Sequence, residues 1–147
     1  MKNLTSKTRV LLAISVVALV SVTSAYAETT SMRAHIPFQF RAGSALLPAG
    51  QYQVDYASAF SRLMLRATEN GAGVYLPHWP TQRSATAPQS GMLVFHKYGE
   101  HYFLRQVWSP GQSEGYELPA SKVERELARM EKAPPATEIV SATTALE

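Results

Sequence analysis

From Ala34 onward, apolar and polar positions follow one another in short alternating runs broken by Gly, Pro and Asn. That pattern predicts strands and turns rather than helices. Ile36, Phe38 and Phe40 alternate with Pro37, Gln39 and Arg41. Pro37 has no amide hydrogen for a ladder bond, so this strand belongs at a sheet edge or begins there. The run Leu46-Leu47-Pro48-Ala49-Gly50 turns the chain into 51–56, where Tyr52, Val54 and Tyr56 alternate with Gln51, Gln53 and Asp55. One face of that strand is buried and the other is wet. Segments 62–68 and 73–76 flank Asn70-Gly71, two residues that accept the positive φ of a type I′ hairpin. Residues 77–90, with Pro77, Pro80 and Pro88, read as a long loop, a class that is sometimes functional.

The clearest hairpin joins 91–97 to 101–108 through Gly99-Glu100, with Gly at the first central position. An uninterrupted register sets Lys97 opposite Tyr102, His96 opposite Phe103, Phe95 opposite Leu104 and Val94 opposite Arg105. Both faces are then largely apolar, which places the hairpin centrally, buried on both sides, with Arg105 and Gln106 in need of partners. One more short strand fits 115–118, ended by Pro119. Ser121 followed by Glu124 is a capping-box signature and starts a helix over 121–132. Its apolar stripe is only Val123, Leu127 and Met130, narrow for a core helix, so it lies across the sheet or packs on a partner. The double proline and the Ala/Thr/Ser-rich end predict a disordered tail over 133–147. The expected fold is mainly β: an antiparallel β-sandwich or small barrel of six to seven strands with one C-terminal helix. Residues 34–132 form that single β-rich domain, behind a flexible leader at 28–33.

The first 27 residues read as a cleavable signal peptide. Lys2, Lys7 and Arg9 precede an aliphatic run over 10–22, and Ala25-Tyr26-Ala27 is a small-x-small cleavage pattern. Thirteen residues are too few to cross a bilayer, which takes about 20. The expected location is therefore the periplasm or the extracellular medium, with no membrane span after cleavage. Three of the fourteen cations lie in this leader and none of the eleven acids, so the chain beyond Ala27 is formally neutral. A nucleic-acid binder would show a basic footprint, and none remains. The chain has no cysteine, which rules out a disulfide framework, a thiol nucleophile, a Cys-based zinc site and a lipidated cysteine.

The pairing of Ile36-Pro37-Phe38-Gln39-Phe40 with Leu47-Pro48-Ala49-Gly50-Gln51-Tyr52 resembles a group of small exported bacterial proteins of unknown function. The resemblance continues through Leu93-Val94-Phe95-His96-Lys97-Tyr98-Gly99, Tyr102-Phe103-Leu104 and Val107-Trp108. It ends in Gly115, Leu118-Pro119 and Ser121…Glu124-Arg125-Glu126-Leu127. It implies export and one β-rich unit, and carries no activity. The Leu-Pro-Ala-Gly-x-Tyr segment also resembles a piece of transthyretin-like or carboxypeptidase-regulatory-like β-sandwiches.

No catalytic set is legible, and no cofactor is implied. Serine lacks a nucleophile-elbow context, and Glu69, Glu100, Glu114 and Glu117 fall in turns or loops. A metal-dependent or hydrolytic enzyme would need at least three of His78, His96, His101, Glu100 and Asp55 to converge. The better candidates are contacts: His78 and Trp79 in the loop and Trp108 at the hairpin end for a small ligand, and Val123, Leu127 and Met130 for a partner. The leading expectation is an exported, non-catalytic binding or structural domain for an envelope or extracellular protein. The alternative is a small-ligand or glycan carrier using the aromatic loop or a barrel mouth.

Overall fold

The computed structural model describes residues 29–57, 62–81 and 83–145; the signal-peptide reading falls outside them. Among the described residues the chain is mainly β with one helix, α1 (Lys122–Glu131). Eleven strands among the described residues, more than the six to seven expected, form one nearly closed sheet. They are β1 (Thr29–Ile36), β2 (Phe40–Ala42), β3 (Ala45–Leu47), β4 (Gly50–Ala57), β5 (Arg62–Ala67) and β6 (Gly73–Leu76). After them come β7 (Trp79–Pro80), β8 (Gly91–Tyr98), β9 (His101–Trp108), β10 (Tyr116–Glu117) and β11 (Ala136–Thr144). Their order is β3-β2-β9-β8-β11-β1-β4-β5-β6, with β10 bridging β9 to β7. Since β7 follows β6 along the chain, the sheet bends almost back onto itself.

Alternation explains which side chains fill the interior. Met32, Ala34 and Ile36 from β1, Tyr52 and Val54 from β4, Leu63 and Leu65 from β5, and Leu93 and Phe95 from β8 all point inward and are buried. Phe40 sits among them, edge-on to Tyr52 at 5.2 Å and to Phe95 at 5.4 Å. Each such apolar side chain contributes about 1.5–3 kcal/mol on burial. The Pro48-Ala49-Gly50-Gln51-Tyr52 turn closes on itself, as the Tyr52 hydroxyl donates to the Pro48 carbonyl at 2.8 Å.

Other expectations are corrected as well. The leader at 28–33 is largely strand, since β1 starts at Thr29 and pairs with β4 along its whole length. The tail is not disordered: β11 lies between β8 and β1, with Ala136–Ala142 paired to β8. Its small and β-branched residues carry little apolar signal, but a strand flanked on both sides needs hydrogen-bonded neighbours more than bulk. The Asn70-Gly71 turn is not type I′. Only Gly71 has positive φ, and a four-residue loop closes through Ala67 and Ala72. A further correction is a bulge in the β8–β9 hairpin. The expected register holds to Phe95 opposite Leu104, then slips so that Val94 faces Gln106 and Leu93 faces Val107. Arg105 is the extra residue, and the slip turns Val107 into the core.

The helix begins where the capping signature placed it, with the Ser121 hydroxyl accepting from the Glu124 amide at 3.1 Å. It packs beside β8 on the outer face of the hairpin, where Tyr98 and Phe103 are buried edge to face at 5.9 Å. Beyond the helix, Met92 and Val94 on that face are only half-buried, so the hairpin is not buried throughout on both sides. No helix among the described residues is long and apolar enough to cross a membrane.

Candidate functional site

Pro37-Phe38-Gln39 links β1 to β2, which pairs in parallel with the start of β9: Phe40 lies opposite Tyr102 and Arg41 opposite Phe103. Those pairings bring the β1–β2 link next to the Gly99-Glu100 turn. Between them lies an open cleft of about 280 Å³, lined by Phe38, Gln39, Phe40, Arg41, Leu46, Glu100, His101 and Tyr102. Phe38 stacks on Tyr102 at 3.8 Å and meets Phe95 edge-on at 5.2 Å, which makes the floor rigid and apolar. Lys97 lies 5.0 Å from the Tyr102 ring centre. Its hydrogen bond with the Tyr102 hydroxyl raises its pKa above the ordinary lysine value.

The polar rim is distinguished by what it lacks. Of the arginines with described side chains, only Arg41 and Arg105 are half-buried. Arg105 donates to Glu117 at 3.0 Å and to Glu124 at 3.4 Å. The Arg41 side chain has no ion pair or hydrogen bond among the described residues, and neither do the side chains of Gln39, Glu100 and His101, although the Glu100 charge acts on Lys97. A guanidinium carries five donors in a planar fork suited to a carboxylate.

A second polar cluster lies under the helix. Glu124 is buried and shared by Arg105 on β9 and His96 on β8, the latter at 3.4 Å. Its carboxylate therefore points into the sheet, although a capping box would turn it back to the Ser121 amide. Arg105 reaches this cluster from the bulge on the outer face, and its Nε is buried without a partner among the described residues.

The aromatic candidates separate. His78 lies edge-on to Tyr56 at 5.7 Å and to Tyr116 at 5.0 Å, at one end of the interior. Burial, then the hydrogen bond with Tyr56, raises the Tyr116 phenol pKa far above the ordinary tyrosine value. Trp79 pairs across from Glu117 in β7 and is 53 % exposed. Trp108 donates to Gln106 at 3.1 Å and packs on Gly115, where a Cβ would lie 2.6 Å from its ring. Of the helix stripe, Leu127 is half-buried, while Val123 and Met130 face outward at 40 % and 68 % exposure. The histidines do not gather: His96 is under the helix, His101 in the cleft and His78 with the tyrosines. Among the described residues no three His, Asp or Glu side chains form a group able to hold a metal ion.

The cleft residues were individually visible in the sequence, in the Phe38/Phe40 alternation and the Gly99-Glu100 turn. Their proximity was not, because it depends on one parallel strand pair between distant segments. Comparisons with protein-family models, with curated proteins and with solved structures find no match.

Proposed function

We propose that this chain is an exported, non-catalytic binding domain whose contact site is the cleft between β2 and the β8–β9 turn. The supporting observation is a set of polar side chains without hydrogen bonds or ion pairs among the described residues, Gln39, Arg41, Glu100 and His101, over the Phe38–Tyr102 floor. The interior favours a surface site over a calyx, since Met32, Ile36, Phe40, Tyr52, Leu65, Phe95 and Leu104 already fill it. Export rests on the N-terminal charge, aliphatic run and Ala25-Tyr26-Ala27 pattern. Exposed Trp79 supports a second, protein-directed contact on another part of the surface.

The test has two parts. The full chain is expressed in a bacterial host, and the released protein is N-terminally sequenced; a start at Glu28 is expected, and retention of Met1 in the cytoplasm would remove the export reading. The processed protein and its Arg41→Ala variant are then used to capture proteins and small molecules from a native envelope fraction. Capture that drops at least tenfold in the variant supports the cleft. Identical capture by both proteins overturns the cleft as the contact site.

A further inference from the structure

We propose that the cleft takes a small amphoteric ligand of the α-amino acid type, with its carboxylate on Arg41 and its ammonium on Glu100. The assignment rests on the binding reading above and adds the ligand's chemistry.

Size sets the first limit. Pockets for drug-sized ligands run from about 300 to 1,000 Å³, and this one, at about 280 Å³, suits a single amino-acid-sized molecule. Charge sets the second. The lining holds one guanidinium, Arg41, and one carboxylate, Glu100, with Gln39 and His101 as further hydrogen-bonding groups. A phosphate monoester carries nearly two negative charges and would leave one uncompensated beside Glu100. A lone carboxylate would satisfy Arg41 and give Glu100 nothing beyond its electrostatic interaction with Lys97. A ligand with both signs satisfies both, and charge-assisted hydrogen bonds of this kind are about twice as strong as neutral ones.

Apolar surface sets the third. Leu46 is 51 % exposed at the rim, and the Phe38–Tyr102 stack forms the floor. Both rings are engaged already, by each other, by Phe95 and by Lys97. They present an apolar surface and not a free stacking platform. An aliphatic side chain on the ligand fits that surface better than a sugar ring, which needs an open aromatic face.

The test uses backbone amide NMR shifts of the processed protein with four probes: L-leucine, leucinamide, N-acetyl-leucine and inorganic phosphate. Leucine is expected to shift the amides of 39–41 and 100–102 saturably, and leucinamide and N-acetyl-leucine to bind at least fivefold more weakly. Arg41→Gln should weaken leucine binding tenfold or more at unchanged melting temperature. Glu100→Gln should remove the preference for leucine over N-acetyl-leucine. The proposal is overturned by no shift with leucine, by leucinamide or N-acetyl-leucine binding as tightly, or by phosphate matching leucine. Failure with leucine alongside Arg41-dependent envelope capture sinks only the ligand assignment. Failure of both sinks the cleft as a binding site as well.

Discussion

Tyr52 shows how a single hydroxyl holds a turn. It is buried among core aromatics, and its O–H reaches back to the Pro48 carbonyl. Burial, with the Glu69 charge as a smaller contribution, also raises its pKa. Tyr52→Phe keeps the ring and removes the bond, which should cost about 1 kcal/mol in urea unfolding. Asp55 behaves in the opposite sense. Burial alone would raise its pKa, but the Gln53 amide at 2.9 Å and the Arg66 guanidinium at 3.0 Å outweigh it and hold the value below the usual carboxylate range. The folded state thus binds its proton less readily than the unfolded chain. The resulting stability is present above the unfolded pKa of about 3.9 and is lost as pH falls through the lower folded value. Asp55→Asn should therefore flatten the acid limb of a melting-temperature profile below about pH 4, leaving the neutral range nearly level in slope.

The helix and the bulge act as one device. Arg105 stays on the outer face at the one-residue slip in β9, where Glu124 from α1 and Glu117 from β10 meet it. Ser121 caps the same helix turn, so the cap positions the Glu124 carboxylate above the sheet. Removing one partner of a buried pair costs about 3–5 kcal/mol, because the other charge stays desolvated. Arg105→Ala should fall near the lower end, since Glu117 is partly exposed, and chemical denaturation measures it. Val123→Ser and Met130→Ser on the outward helix face should shift stability by no more than about 0.5 kcal/mol. Equal losses at inward and outward positions would contradict the orientation of α1. Gly115→Ala forces the Trp108 ring to move, and should cost about 1–3 kcal/mol with a change in tryptophan fluorescence.

Across the molecule, the last strand carries unexpected weight. β11 joins β8 to β1 in the middle of the sheet, with Ile139 exposed and Ala142 buried. Truncation after Lys132 would leave both neighbours with unpaired edges. It should abolish cooperative unfolding in thermal circular dichroism; a truncated chain that melts like the full one would mean that β11 is dispensable. The cleft has the same non-local origin. Its two walls meet only because β2 pairs in parallel with β9, while the helix and β11 complete the far side of the hairpin.

Much of this was legible along the chain. Period-two alternation marked β4, β5 and β8, Gly99 marked the hairpin turn, and Ser121 marked the helix start, because each depends on residues within a few positions of one another. Neutral charge beyond Ala27 and the lack of cysteine are likewise properties of composition alone. Tertiary structure decided the rest. The bulge at Arg105 formed because the core accepts Val107 in place of Gln106, and Ala136–Thr144 became a strand because two open edges stood ready to pair with it. Arg41 and Glu100 came to line one cleft because β2 paired in parallel with β9. Local patterns specify which face of an element is apolar; only the packed sheet determines which elements meet, and the cleft exists where they do.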